Sequence, residues 1–252
     1  MKFIPTTVIA LLVFLNPIIS AQPNEQEHLK DKLSLEILVQ SGGKKSAEQM
    51  FNRILVGAPP AVRQHLLDRF EIDELMVQLA SVYTKRFSVK ELEDILEHYQ
   101  TPIGKSFAKK RPAMMALSMK AGQDYMQKKM AGLQVDLPKH GPKKDDSLKI
   151  AIALTEASGE TAATAETIDL MLDSLKKTNP PLAKRMGELI IAADMNLLGA
   201  KAMADTFTAK EMQAMIDFFR TPTGQKLAKH TPAIMRESGQ ASEKYFQSKL
   251  RP

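Results

Sequence analysis

The sequence predicts an all-α protein made of two tandem repeats, each a bundle-like unit of roughly five helices. One segment occurs twice, as Phe87–Met130 and as Phe207–Leu250, at a constant offset of 120 residues. Sixteen of the 44 aligned pairs are identical, which is too many for unrelated helices. Apolar residues also recur at helical spacing along the chain, whereas the alternating runs typical of strands are missing.

Residues 1–21 have the pattern of a secretory signal peptide. Lys2 supplies the positive start, residues 8–15 are apolar, and cleavage is expected after Ala21. An uncleaved anchor is the alternative, but Asn16 interrupts the run before it reaches the roughly 20 residues that span a bilayer. We therefore expect a periplasmic or secreted protein that keeps no transmembrane segment after signal cleavage.

The rest of the chain divides into two units and a linker. We expect the first helical repeat unit over residues 22–130 and the second over residues 146–252. Residues 131–145 contain two prolines, two glycines and four basic side chains, a composition typical of a linker.

Turn-forming residues bound the helices of each unit. In the first unit, helices are expected over residues 26–40, 46–56, 61–83, 88–100 and 102–130, with a joint near Phe70 inside the third. Ser46 and Gln49 form a capping-box pattern, which predicts the start of the second helix. In the second unit, Gly159 and Pro180 supply the equivalent breaks.

The fourth helix of each unit has a strong start signal. Ser88 is a good N-cap, and Glu91 at the third helical position can bond back to its amide. Thr208 and Glu211 repeat this pair. The same capping box in both copies makes these helix starts the firmest local prediction of the sequence.

A corner follows in each copy. Thr101 and Pro102 end one helix and begin the next, because proline disfavours helical geometry in the residue before it and suits the first helical position. Gly104 fits a tight turn or a close backbone approach. Pro112 and its counterpart Pro232 lie inside the long last helix, where we expect a kink or a short break.

These corners are also the candidate binding sites, since the amides of a helix N-terminus can bind an anion and basic residues lie beside them. The alternatives are a simple helix corner and an ordinary solvated basic face. The candidate residues are Thr101, Gly104, Lys105, Lys109, Arg111, Thr221, Gly224 and Lys226.

Fifteen methionines offer a second kind of site. Flexible thioethers suit apolar grooves that accept varied partners, but they also fill irregular cores, and we favour the core interpretation. Five of them lie in one helix: Met114, Met115, Met119, Met126 and Met130.

No residue pattern points to catalysis, a cofactor or a metal. The chain has no cysteine, which excludes disulfides, thiolate ligands and cysteine nucleophiles. Phosphate loops, nucleophile elbows and zinc-protease motifs are missing. Asp94 and His98 have the spacing of two metal ligands on one helix, but the second copy has Ala214 and Phe218 there, so a solvated helix face is the preferred interpretation.

The repeated segment resembles a known bacterial family. Phe-Ser/Thr-x-Lys-Glu, then Thr-Pro-x-Gly and Pro-Ala-x-Met, are similar to the secreted family called domain of unknown function 2059, once from Phe87 and again from Phe207. The resemblance implies an exported helical protein of Gram-negative bacteria. It implies no established activity and no catalytic residues.

We therefore expect an exported, non-enzymatic helical module that binds another protein or an envelope component. One alternative is a peripheral factor that binds an anionic membrane or cell-wall surface through Lys105–Arg111, since the formal net charge is +6. Another is an envelope enzyme with an unrecognised site. The partner is an unidentified envelope protein or surface component. Nucleic acid is not expected, because there is no tryptophan and tyrosine is scarce, and a homo-oligomer is left open.

Overall fold

The computed structural model describes residues 23–138 and 146–250, which form twelve α-helices and no strand. The predicted all-α class is thereby confirmed. The predicted signal peptide lies outside the described residues. Residues 131–138 of the predicted linker contain no helix, and 139–145 are not described. The helices are α1 (Pro23–Gln40), α2 (Gly43–Gly57), α3 (Pro60–Arg69), α4 (Ile72–Thr84), α5 (Val89–Gln100), α6 (Pro102–Met130), α7 (Ser147–Ala157), α8 (Glu160–Thr178), α9 (Pro180–Leu189), α10 (Ala192–Thr206), α11 (Ala209–Phe219) and α12 (Pro222–Leu250).

Each repeat contains six helices, because the third predicted helix is split in both. The split lies at the expected joint in the first repeat, and in the second repeat it corrects the prediction of one continuous helix. Phe70 and Glu71 separate α3 from α4, and Ile190 and Ile191 separate α9 from α10. A tyrosine hydroxyl occupies the first joint. Tyr245 of α12 accepts a hydrogen bond from the Glu71 amide and donates one to the Glu71 carbonyl, both at 2.8 Å. The backbone groups released by the break are therefore satisfied from the other repeat.

Both capping boxes are present. The Ser88 hydroxyl accepts the Glu91 amide at 3.3 Å, and the Glu91 carboxylate accepts the Ser88 amide at 2.8 Å. Thr208 and Glu211 repeat the arrangement at 3.2 and 2.8 Å. The predicted start of α2 at Ser46 is wrong. The helix begins three residues earlier, after a left-handed glycine, and the Ser46 hydroxyl donates to the carbonyl of that glycine.

Neither internal proline breaks its helix, since α6 and α12 each run through without interruption. Pro112 cannot donate to the carbonyl of Ala108, four residues earlier. The α1–α2 turn approaches that carbonyl so closely that a Cβ added to Gly42 would lie 2.7 Å from its oxygen. Gly159 approaches the equivalent Ala228 carbonyl in the same way, at 2.2 Å. Each proline thus marks a place where a turn packs on the long helix.

The two repeats exchange their long helices. Leu227 and Ile234 of α12 are buried in a core whose other members come from α1, α4, α5 and the loop before α5. Met114 of α6 is buried in the core of the second repeat, formed by α7, α10, α11 and Phe207 in the loop before α11. Phe107 stacks on Phe207 in that second core with ring centroids 4.8 Å apart. Neither hydrophobic core is complete without a helix from the other repeat.

An approximate twofold axis relates the repeats. Tyr125 of α6 reaches the α9–α10 joint, as Tyr245 reaches the α3–α4 joint. His98 and Phe218, which occupy equivalent positions in the two copies, stack on each other with ring centroids 3.9 Å apart. Two equivalent residues can contact each other only near the axis that relates their repeats. The twofold axis therefore passes beside His98 and Phe218.

Candidate functional site

The predicted corner residues lie at the α5–α6 and α11–α12 turns. The Thr101 hydroxyl accepts the Gly104 amide at 3.0 Å and donates to the His98 carbonyl at 2.7 Å. Thr221 and Gly224 repeat the first of these bonds at 3.1 Å. The hydroxyl already satisfies one of the amides at the start of the long helix. Each corner is therefore built as a capped joint between helices.

The glycine of each corner is explained by a backbone contact. A Cβ added to Gly104 would lie 2.2 Å from the His98 carbonyl oxygen, and one added to Gly224 would lie 2.1 Å from the Phe218 oxygen. Both are far inside contact distance, so only glycine lets the end of one helix lie against the start of the next.

The predicted basic patch is divided among different roles. Lys110 donates to both carboxylate oxygens of Glu211 at 2.8 Å, and Lys226 donates to both oxygens of Glu91 at 2.7 Å. Arg111 donates to the Ser41 carbonyl at 3.3 Å. Only Lys105 and Lys109 of the α6 cluster remain exposed without an ion pair among the described residues.

The two lysine pairs tie the exchanged helices to the capping boxes. Burial by itself raises the pKa of Glu211, but hydrogen bonds from Lys110, Ser106 and the Thr208 cap outweigh it and lower that pKa to about 2. Glu91 shows the same balance, and its pKa is also lowered. The capping carboxylate thus holds both its own helix start and the long helix of the other repeat.

Ionisable groups also meet around Arg111 at partly buried positions. Burial raises the pKa of Tyr83 to about 12, and it also raises the pKa values of Tyr99 and Glu160, with Arg111 partly opposing the shift in all three. His98 is packed against Phe218, and burial lowers its pKa to about 4. Within residues 23–138 and 146–250, no group of three or more His, Asp or Glu side chains could hold a metal ion.

A groove between α2 and α6 brings together residues that the sequence did not predict to form one site, among them Ser46, Lys109 and Met119. Its narrow end encloses about 20 Å³, and its broad end encloses about 380 Å³ and opens to solvent. Met50 and Met119 are 48% and 36% exposed. The lining residues are Lys45, Ser46, Gln49, Met50, Asn52, Lys109, Pro112, Ala113, Met115, Ala116 and Met119.

The equivalent place in the second repeat is closed. Gln49 and Glu166 each lie seven residues after the left-handed glycine of their repeat, and Ala116 and Arg236 are 120 residues apart. Arg236 and Glu166 form an ion pair that joins α12 to α8. Ala116 and Gln49 line the groove instead. Accordingly, α8 packs along α12 much more extensively than α2 packs along α6.

The lining sets what the groove can do chemically. Methionine, alanine and proline form an apolar floor, and the amides of Gln49 and Asn52 can bond to a ligand. Lys45 and Lys109 are the charged residues among the side chains described in its lining. Among the lining side chains that the structure describes there is no carboxylate or histidine. The groove therefore has the features of a binding surface.

A signal for this groove was present in the sequence as the difference between Ala116 and Arg236. It could be interpreted only once the turns at Gly42 and Gly159 were recognised as equivalent. The methionines of α6 divide between both interpretations. Met114 is a core residue, as we favoured, and Met119 lines the groove. Met115 does both, since it packs against the core of the second repeat and also lines the groove.

Comparisons with known proteins place the repeats in a family. Residues 73–131 and 193–251 each match the family described as "Uncharacterized protein conserved in bacteria (DUF2059)". Each match runs from the fourth helix of a repeat to the end of its long helix, so the predicted family and its two tandem copies are confirmed. Comparisons with curated proteins and with solved structures found no match. None of the helices described is long and apolar enough to cross a membrane.

Proposed function

We propose that this tandem pair of DUF2059 domains is an exported, non-enzymatic module that binds another protein of the bacterial envelope through the groove between α2 and α6. One observation carries the proposal. In the first repeat, a strip along the long helix α6 is left open. In the second repeat, the equivalent strip along α12 is covered by α8 and closed by the Arg236–Glu166 pair. Two copies of one domain that differ in this way favour a binding role for the open one.

The composition of the groove supports a protein partner. Exposed methionines adapt to apolar side chains of different shapes, and this is their usual role on surfaces that accept protein segments. The lining residues within the described part of the chain also include no acid–base or nucleophile–base pair of the kind that catalysis uses. The signal pattern of residues 1–21 supports export.

Cross-linking from the groove tests this function. A photoreactive amino acid at Met119 should capture one defined envelope protein in cells, and the same residue at Gly239, the equivalent position on α12, should not. The Gln49→Glu/Ala116→Arg variant, which recreates the ion pair of the second repeat, should abolish capture. Equal capture from Met119 and Gly239, or capture unchanged in that variant, would refute the proposal.

A second candidate function is peripheral binding to an anionic surface. Lys105 and Lys109 lie four residues apart on one exposed face of α6 and have no ion pair within the described ranges. Charge-driven binding to anionic vesicles or cell-wall polymer should weaken strongly as salt is raised, because salt screens exposed charges. Sedimentation that does not change with salt would rule this candidate out.

A further inference from the structure

The charges at the groove point to an acidic partner. Lys45 and Lys109 face the broad end from α2 and α6, and neither has an ion pair among the described residues. Lys44, the neighbour of Lys45, is paired with Asp73 at 2.6 Å and so does not contribute. Two cations beside an apolar floor, with no carboxylate among the described lining residues, complement a ligand that combines apolar and anionic groups.

The shape of the groove points to a helix. Its α6 wall presents Lys109, Pro112, Ala113, Ala116 and Met119, a spacing that places them along one helical face. From Lys109 to Met119 this face is about 15 Å long, or roughly three helical turns. On α12 the corresponding strip is covered by α8, so the same surface in the other repeat accommodates a helix lying along it.

We infer that the groove binds an acidic amphipathic helix of about three turns, whose apolar face lies on Met50, Met115 and Met119 and whose carboxylates meet Lys45 and Lys109. The inference rests on the proposed function and adds the chemistry of the partner. The partner helix takes the place along α6 that α8 takes along α12. The ion pair that α8 makes through Glu166 is replaced by pairs to the two lysines.

Binding of synthetic peptides to the full-length protein tests the inference. The probe is a fluorescent, side-chain-stapled peptide of about 14 residues, ~20 Å long as a helix, with leucines on one face and glutamates flanking them. Its control has lysine in place of every glutamate. The acidic peptide should bind at least about tenfold more tightly, a difference of ~1.4 kcal/mol, and the preference should shrink as salt is raised.

Variants locate the site. Lys45→Glu/Lys109→Glu should reverse the preference between the two peptides, and Gln49→Glu/Ala116→Arg should weaken both by about tenfold or more. Lys229→Glu changes the counterpart of Lys109 in the second repeat and is the matched control, which should leave binding unchanged. Circular dichroism of each variant confirms that it is folded.

Three results would overturn the inference: equal binding of the two peptides, no binding of either, and an acidic preference that survives Lys45→Glu/Lys109→Glu. Vesicles of anionic phospholipid that displace the bound peptide only from the wild-type groove would assign the site to lipid instead. If cross-linking from Met119 still captures an envelope protein while the peptides show no charge preference, the acidic helix is refuted and the binding function stands.

Discussion

The corner glycines show how one carbonyl oxygen can fix a residue type. We expect Gly104→Ala to lower the free energy of unfolding by about 3 kcal/mol or more, because the added methyl would lie 2.2 Å from the His98 oxygen, a backbone atom that cannot move aside alone. Urea denaturation measures the loss.

The matched control for this substitution is Gly239→Ala. Gly239 also lies inside a long helix, but a Cβ there meets nothing within 4 Å. Alanine should therefore stabilise the protein by up to ~1 kcal/mol through its higher helix propensity. Similar losses at positions 104 and 239 would contradict the steric explanation.

The His98 ring should make stability depend on pH. Burial lowers its pKa from 6.5 to about 4, so the unfolded chain takes up the proton first as the pH falls. The stabilising contribution of the neutral ring is complete above pH 6.5 and is lost progressively toward pH 4. His98→Phe, which copies Phe218, should keep the stacked rings and remove this loss.

Urea denaturation of both proteins at pH 7 and at pH 5 checks this prediction. The wild type should lose more stability than His98→Phe between the two pH values. Equal losses would show that His98 is not buried as a neutral ring.

Between helices, the capping carboxylates connect the two repeats. A double-mutant cycle of Lys110→Ala and Glu211→Gln should give a coupling energy of about 1–2 kcal/mol at neutral pH, because the Glu211 side chain is only 15% exposed. Glutamine at position 211 keeps the capping box, so the cycle isolates the link between helices. The exposed pair of Lys176 and Asp173 is the control and should give less than about 0.5 kcal/mol.

The same coupling should disappear in acid. The pKa of Glu211 falls from 4.5 in the unfolded chain to about 2 in the folded protein. A carboxylate with a lowered pKa stabilises the fold above its unfolded pKa, and this stabilisation is lost as the pH falls from about 4.5 to 2. A coupling energy that stays constant across that range would contradict the ion pair.

For the whole molecule, the exchange of long helices predicts that a core substitution in the long helix of one repeat will destabilise the other repeat. Ile234→Ala changes α12 of the second repeat, but its side chain lies in the core of the first. We expect a loss of about 2–4 kcal/mol, with faster hydrogen exchange in α1 and α5. Met114→Ala should loosen α7 and α11 instead. If each substitution loosened its own repeat, the exchange of helices would be wrong.

What the sequence predicted correctly was mostly local. The capping boxes, the proline corners and the joint at Phe70 depend on residues a few positions apart. The first two patterns were visible in both copies, whereas the joint was predicted only in the first. The exchange depends on contacts such as that between Tyr245 and Glu71, which are 174 residues apart and have no periodic signature. Lys110 and Lys226 pair with carboxylates of the opposite repeat because of that exchange. The sequence showed only a cluster of basic residues, so these ion pairs could not be predicted from it.

The exchanged helices also have a consequence for the order of events during synthesis. A ribosome makes the chain from its amino terminus, yet the core of the first repeat requires Leu227 and Ile234. The first repeat is therefore still missing part of its core when all of its own residues have emerged. Neither half can finish folding early, and the nascent protein reaches its native structure only when the last helix has been made.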